Sequence, residues 1–121
     1  LLDKTGKGIN TLPFFLETLD KADLRDNVVP IVSTSVEASE VWSEPLAMVF
    51  IDGGHSDQAA NDDYDVWHPH IIQGGLLAIH DVFPNPEDGG RPPFNIYTKA
   101  KENGLFKEVD MINSLALLEK L

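Results

Sequence analysis

The sequence predicts an α/β fold: a parallel sheet layered with helices and closed by an antiparallel hairpin at its carboxyl end. Short unbroken apolar runs at 46–51 and 76–79 have the length and character of strands buried on both faces, as in a parallel sheet, and a β-branched run at 28–32 reads as a third strand. Helix-like segments separate them, and right-handed crossovers then make the three strands parallel neighbours. Two further runs, 106–112 and 115–118, flank Asn113-Ser114 in the manner of a β-hairpin.

The elements follow in order. Residues 1–10 carry Gly6, Gly8 and Asn10 with little periodicity and read as a loop. Thr11 is placed to cap a helix that takes Pro13 in its first turn and sets Phe15, Leu19 and Ala22 on one face. The strand at 28–32 is β-branched but interrupted by Pro30, which moves it toward a sheet edge. Ser33-Thr34-Ser35 is a polar turn before a short helix over 36–42. After the strand at 46–51, Ser56 or Asp57 starts the longest helix, with Ala60, Tyr64 and Trp67 at spacings of four and three. The aromatic residues read as core. Pro69 and Gly74-Gly75 end that helix. The strand at 76–79 leads into a Pro- and Gly-rich loop over 83–93, and a helix over 94–103 stops at Gly104. His68 and His70, on either side of Pro69, read as a solvated turn.

Composition narrows the function classes. At 121 residues the chain is a single domain with room for a core. A net charge of -11, with nine scattered basic residues, argues against a nucleic-acid surface, which needs clustered Lys and Arg. The same acidity repels anionic lipid. With no cysteine there is no disulfide, thiolate ligand or thiol nucleophile. No apolar run reaches the length of a membrane span, and the start has no signal-peptide shape, so a soluble cytoplasmic protein is expected.

Two strands end in the same chemistry. The run at 46–51 leads into Asp52-Gly53-Gly54-His55, and the run at 76–79 leads into His80-Asp81. Ligands of open parallel sheets sit beyond the carboxyl ends of the strands, so four titratable groups are aimed at one crevice. Asp52 and Asp81, on neighbouring strands about 4.8 Å apart, are placed to share a proton or a cation. His55, three residues past a strand end, is placed to accept a proton near neutral pH. The loop after 79, with Glu87, Asp88 and Arg91, is placed as a lid, and Arg91 as a contact for an anionic substrate.

The stretch from Phe50-Ile51-Asp52-Gly53-Gly54-His55-Ser56, through Asp63 and Trp67, to Gln73-Gly74-Gly75-Leu76-Leu77-Ala78-Ile79-His80-Asp81-Val82 resembles class I S-adenosylmethionine-dependent methyltransferases. The nearest branch has an Asp-Gly-x-His turn after the family's fourth strand and includes metal-dependent sugar O-methyltransferases and cephalosporin hydroxylase-like proteins. The resemblance covers about residues 11–121. It implies a Rossmann-like three-layer sandwich and methyl transfer to a hydroxyl of a small molecule. It further implies His55 as the base, and Ser33, Thr34, Ser35, Asp52 and Gly53 on the cofactor side. Many relatives carry Asp where Thr34 stands. The metal-dependent branch supplies Glu-Asp at the turn occupied here by His80-Asp81. Asp52, His80 and Asp81 are therefore a candidate divalent-metal set. An oxygen shell suits magnesium, whereas the imidazole tilts the set toward manganese, iron or zinc, or toward no metal.

A doubly wound sheet normally opens with a strand, a Gly-rich turn and a helix that receive the ligand's charged end. This chain opens with a loop and a helix, and Gly6-Lys7-Gly8 lacks both the preceding strand and the glycine spacing of that turn. Residues 1–121 therefore resemble the carboxy-terminal two-thirds of a methyltransferase-like domain. Two other readings fit the same residues. One is a metal-dependent hydrolase that activates water with Asp52, His55, His80 and Asp81. The other is a non-catalytic domain that packs against a partner through an exposed sheet edge. Such an edge would also suit a homo-oligomer.

Overall fold

A computed structural model describes residues 10–121, so the loop expected around Gly6 and Gly8 lies outside the described residues. The chain divides into two compact units, one running to Val32 and the other from Ser33 onward.

In the first unit, helix α1 spans Leu12–Lys21 and buries Leu19. Pro13 sits in its first turn, where a missing N–H costs nothing. Thr11 occupies the cap position without a side-chain bond; the Asn10 side-chain oxygen accepts from the Leu12 N–H instead. The strand expected at 28–32 does not form. Pro30 removes a donor, and among the described residues no segment pairs with the run, so its β-branched side chains stay out: Val29 is 82% exposed and Val32 77%. β-Propensity without a partner strand does not make a strand.

The second unit is a four-stranded sheet in the order β1-β2-β4-β3, with β1 at Leu46–Ile51, β2 at Ile71–Ile79, β3 at Phe106–Ile112 and β4 at Leu115–Lys120. β1 and β2 are parallel; β4 is antiparallel to both β2 and β3. Helix α2 spans Ser35–Glu40, α3 spans Asp57–Trp67 and α4 spans Pro92–Glu102. Tyr64 and Ala60 of α3 and Ile96, Tyr97 and Ala100 of α4 meet Leu77, Ile79, Leu118, Phe106 and Ile51 of the sheet in one buried cluster. All four strands carry an expected partner, β1 parallel with β2 and β3 antiparallel with β4, and the α/β architecture is as the periodicity predicts. Among the described residues, no helix is long and apolar enough to cross a membrane.

Two details depart from the sequence reading. Among the described residues β1 is an edge strand, and its exposure is uneven: Ile51 is buried, whereas Met48 and Phe50 are about half exposed. Among the described residues the apolar run is therefore not buried on both faces. β2 begins at Ile71 and contains Gly74-Gly75, because Pro69 alone ends the preceding helix through a 3₁₀ turn at His68–His70. The register slips between Leu46↔Ile71 and Met48↔Leu76, a bulge in which Gly74 takes φ +78° and Gly75 leaves no room for a Cβ beside Ile71 and the Ala47 carbonyl.

The expected solvated turn at His68-Pro69-His70 is instead packed. The His68 ring stacks on Tyr64 at 4.5 Å and meets Phe106 edge-on, and Lys120 Nζ donates to the His68 carbonyl at 3.0 Å. Burial, then the Lys120 ammonium, holds the His68 imidazole below its ordinary pKa of 6.5, with Lys99 adding to the effect and Asp65 opposing it. A depressed histidine pKa favours the neutral folded form, so its stabilising share is complete above about pH 6.5 and is lost as the pH falls, when the unfolded chain takes up the proton first. His68→Phe should flatten the urea-denaturation stability of the protein between about pH 7 and 5 relative to wild type. Parallel curves for the two proteins would rule this account out. Asp81 gives a second test, since its φ of +59° is left-handed. Asp81→Asn, which tolerates that conformation, should be more stable than Asp81→Val by about 1–2 kcal/mol in urea midpoints.

Candidate functional site

The site grows out of the β1–β2 pairing. Ile51 lies opposite Ile79, and the His80 N–H donates to the Ile51 carbonyl at 3.0 Å, extending the ladder one residue past β2. Asp52 and His80 therefore leave the sheet side by side. His80 Nδ1 stands 3.2 Å from Asp52 Oδ1 and 3.2 Å from Asp81 Oδ1. Asp81 Oδ2 in turn contacts His55 Nε2 at 3.1 Å. The four groups make one row, Asp52–His80–Asp81–His55, across two loops. The left-handed turn at Asp81 directs its carboxylate back between the two imidazoles instead of continuing the strand.

The turn between β1 and α3 places His55. Ser56 caps α3, its hydroxyl accepting from the Ala59 N–H at 3.1 Å. Gly54 packs on Ala59 so closely that a Cβ there would stand 2.9 Å from the Ala59 methyl. His55 is thus held at the rim, with over half of its side chain open to solvent. His80 Nδ1 itself is buried, and although it is near two carboxylates it makes no aligned hydrogen bond with either.

Among the described residues, Asp52, His80 and Asp81 form the one His/Asp/Glu group whose ligand atoms all lie within 4.8 Å of one another. His68 and His70 join no such group. A nitrogen and carboxylate oxygens converging at that spacing can grip a borderline divalent ion, and the unsatisfied His80 Nδ1 is the donor that such an ion would engage.

Beside this row an open cleft of about 430 Å³ is lined by Ser35, Phe50, Asp52, Gly53, Asp63 and Trp67, among others. Of the expected cofactor-side residues, Ser35, Asp52 and Gly53 line it, while Thr34 does not: its hydroxyl accepts from the Glu37 N–H as the cap of α2. Ser33 bonds locally to the Thr34 carbonyl and to Glu37. Trp67, expected in the core, is half-buried at the cleft wall and packs edge-on against Trp42 at 5.7 Å. Arg91 is committed within its own loop, donating to the Phe83 carbonyl and stacking 4.4 Å over the Phe94 ring. Its Nε has no hydrogen-bond partner in this arrangement. Sequence reasoning gave no role to Asp63, whose carboxylate accepts from the Ser35 hydroxyl at 2.5 Å. The available signal was the Gly53-Gly54 pair, which marks a backbone approached closely by a neighbour.

Comparison with known proteins gives the chain a family. Residues 5–82 match the family model described as a methyltransferase domain. Among solved structures, the chain is similar to a Staphylococcus aureus protein described as a caffeoyl-CoA O-methyltransferase, with a TM-score of 0.72 and 14% identity over 99% of this chain and 62% of that one. It is also similar to a Streptococcus mutans protein described as a methyltransferase and solved in complex with SAH, with a TM-score of 0.63 and 18% identity over 91% and 70% of the two chains. A third is the Methanococcus jannaschii fibrillarin pre-rRNA processing protein, at a TM-score of 0.57 and 20% identity over 89% and 52%. At these identities the structures speak for the fold, and the chain spans 62% of the length of the S. aureus protein. The family model covers more than half of the chain, with the β1 turn and the β2 turn inside the match, and the chain belongs to the methyltransferase-domain family.

Proposed function

We propose that this chain is the acceptor-side part of an S-adenosylmethionine-dependent methyltransferase that acts on a hydroxyl of a small molecule. The observation that carries the reading is the row Asp52–His80–Asp81–His55 at the carboxyl ends of two parallel strands, in a member of a methyltransferase family. The cofactor supplies an activated sulfonium methyl group, so the protein's work is to position the acceptor and remove its proton. The cleft suits the nucleoside end of that cofactor: its volume is within the range of ligand sites, Asp52 offers an acceptor for hydroxyl or amine hydrogens, and Trp67 and Phe50 offer aromatic walls.

His55 is the base in this reading. Its Nε2 faces Asp81, so the proton of the neutral ring resides there and Nδ1 is free to take the acceptor's proton. Asp81 orients the ring and stabilises the imidazolium that forms, as a buried carboxylate does behind a catalytic histidine. Asp81 divides its oxygens, one to His55 and one toward His80, and so couples the base to the metal set. Asp52, His80 and Asp81 would hold a divalent cation, which would lower the charge developing on the acceptor oxygen. The imidazole favours manganese, iron or zinc over magnesium.

The test is transfer of labelled methyl from S-adenosylmethionine to a panel of hydroxylated small molecules by the intact protein. His55→Ala should lower the rate by about 10²–10⁴-fold. An unchanged rate would return His55 to a turn residue. For the cation, calorimetry should find tighter binding of Mn²⁺ than of Mg²⁺, and His80→Ala should narrow that margin. Equal affinities in wild type would remove the imidazole from the ligand set. Water-dependent cleavage of a substrate with no methylated product would support the hydrolase reading instead.

A further inference from the structure

We infer that Asp63 is a positioning residue of this site, bracing the turn that carries Asp52 and His55 against the start of α2. Asp63 lies in the second turn of α3 and is half-buried. One of its oxygens accepts the Ser35 hydroxyl at 2.5 Å. The other lies against Gly53, where a Cβ would stand 2.7 Å from it. A single carboxylate thus touches the segment before β1 and the turn after it. Gly53 directly follows Asp52, so the place of the Asp52 carboxylate beside His80 depends on where that glycine stops.

The electrostatics favour a bracing role over a ligand role. Asp63 adds negative charge near Asp52 in a chain of net charge -11, which is unfavourable unless a donor compensates it. Ser35 is that donor. Asp63 is also absent from the group of ligand atoms that lie within 4.8 Å of one another. Without the Ser35 bond the carboxylate would turn to water, and the turn would lose the surface on which Gly53 rests. Gly54, packed on Ala59 of the same helix, would then be its remaining stop.

The inference rests on the proposed metal set for its functional consequence, and the experiment separates the two. Amide hydrogen exchange and Mn²⁺ calorimetry are measured on the full chain for wild type, Asp63→Ala, Ser35→Ala and Asp63→Asn. Asp63→Ala and Ser35→Ala should each speed exchange at residues 53–56 by about tenfold while β2 and β4 amides and the unfolding midpoint hold. Both should weaken Mn²⁺ by about tenfold, the usual scale for residues behind a metal ligand. Asp63→Asn keeps an acceptor for Ser35 and should stay near wild type in both readouts. Unchanged exchange in the turn, or faster exchange throughout the sheet, overturns the positioning role. A wild-type protein that binds no Mn²⁺ overturns the metal reading alone, and exchange in the turn still decides Asp63.

Discussion

The parallel pairing of β1 with β2 is the constraint from which the site follows. Parallel strands point the same way, so their carboxyl ends open on one edge, and the Ile51↔Ile79 register makes both strands finish at the same height. The bond from the His80 N–H to the Ile51 carbonyl then holds the first loop residues together at ladder spacing. A slip of one residue would send Asp52 and His80 to opposite faces. That register is secured by burial at a distance from the site: Leu77 and Ile79 are fully buried, and they pack with Tyr64, Ile96 and Leu118. Core packing therefore sets the geometry of polar groups that are themselves open to water.

Within that frame the polar groups compensate one another. Two carboxylates with oxygens within 4.8 Å would repel by about 3 kcal/mol at an effective dielectric of 20, a figure reduced here because Asp52 is half exposed. The His80 imidazole between them relieves this when Nδ1 bears a proton or a cation. The left-handed backbone at Asp81 turns the chain so that one carboxylate serves both imidazoles. Aspartate is among the few residues that accept this conformation readily, so the backbone and the chemistry ask for the same side chain.

Much of this was legible in the residues, and the parts that were not share a cause. Helices α1, α3 and α4, strand β1 and the hairpin follow from apolar spacing and from Pro and Gly punctuation, signals local to each segment. The motifs Asp52-Gly53-Gly54-His55 and His80-Asp81 announced themselves because they follow strands. The run at 28–32 misled because a strand is a property of a pair, and nothing in the run reports whether a partner lies beside it. Met48 and Phe50 misled likewise: an apolar run does not say which of its faces is covered. The glycines 74 and 75 looked like a helix end, yet they are a bulge whose cause, the close approach of Ile71 and the Ala47 carbonyl, lies partly on another strand. Asp63 was hidden for the same reason, since its partners are 28 residues away at Ser35 and across a turn at Gly53.

The open edge of β1 ties these threads together. Strands of parallel sheets are ordinarily covered on both faces and paired on both sides, whereas β1 shows Met48 and Phe50 half exposed and has β2 as its single neighbour among the described residues. The cleft beside the Asp52–His80–Asp81 group uses this same strand, with Val49, Phe50 and Ile51 among its walls. Whatever pairs with β1 would change that cleft directly, narrowing it and withdrawing Phe50 from water. It would leave the Asp52–His80–Asp81–His55 row in place, because that row is set by the opposite side of β1, through Ile51 and Ile79. The row and the cleft thus depend on the two different edges of one strand, and Asp63, which lines the cleft and lies against Gly53, sits where the two meet.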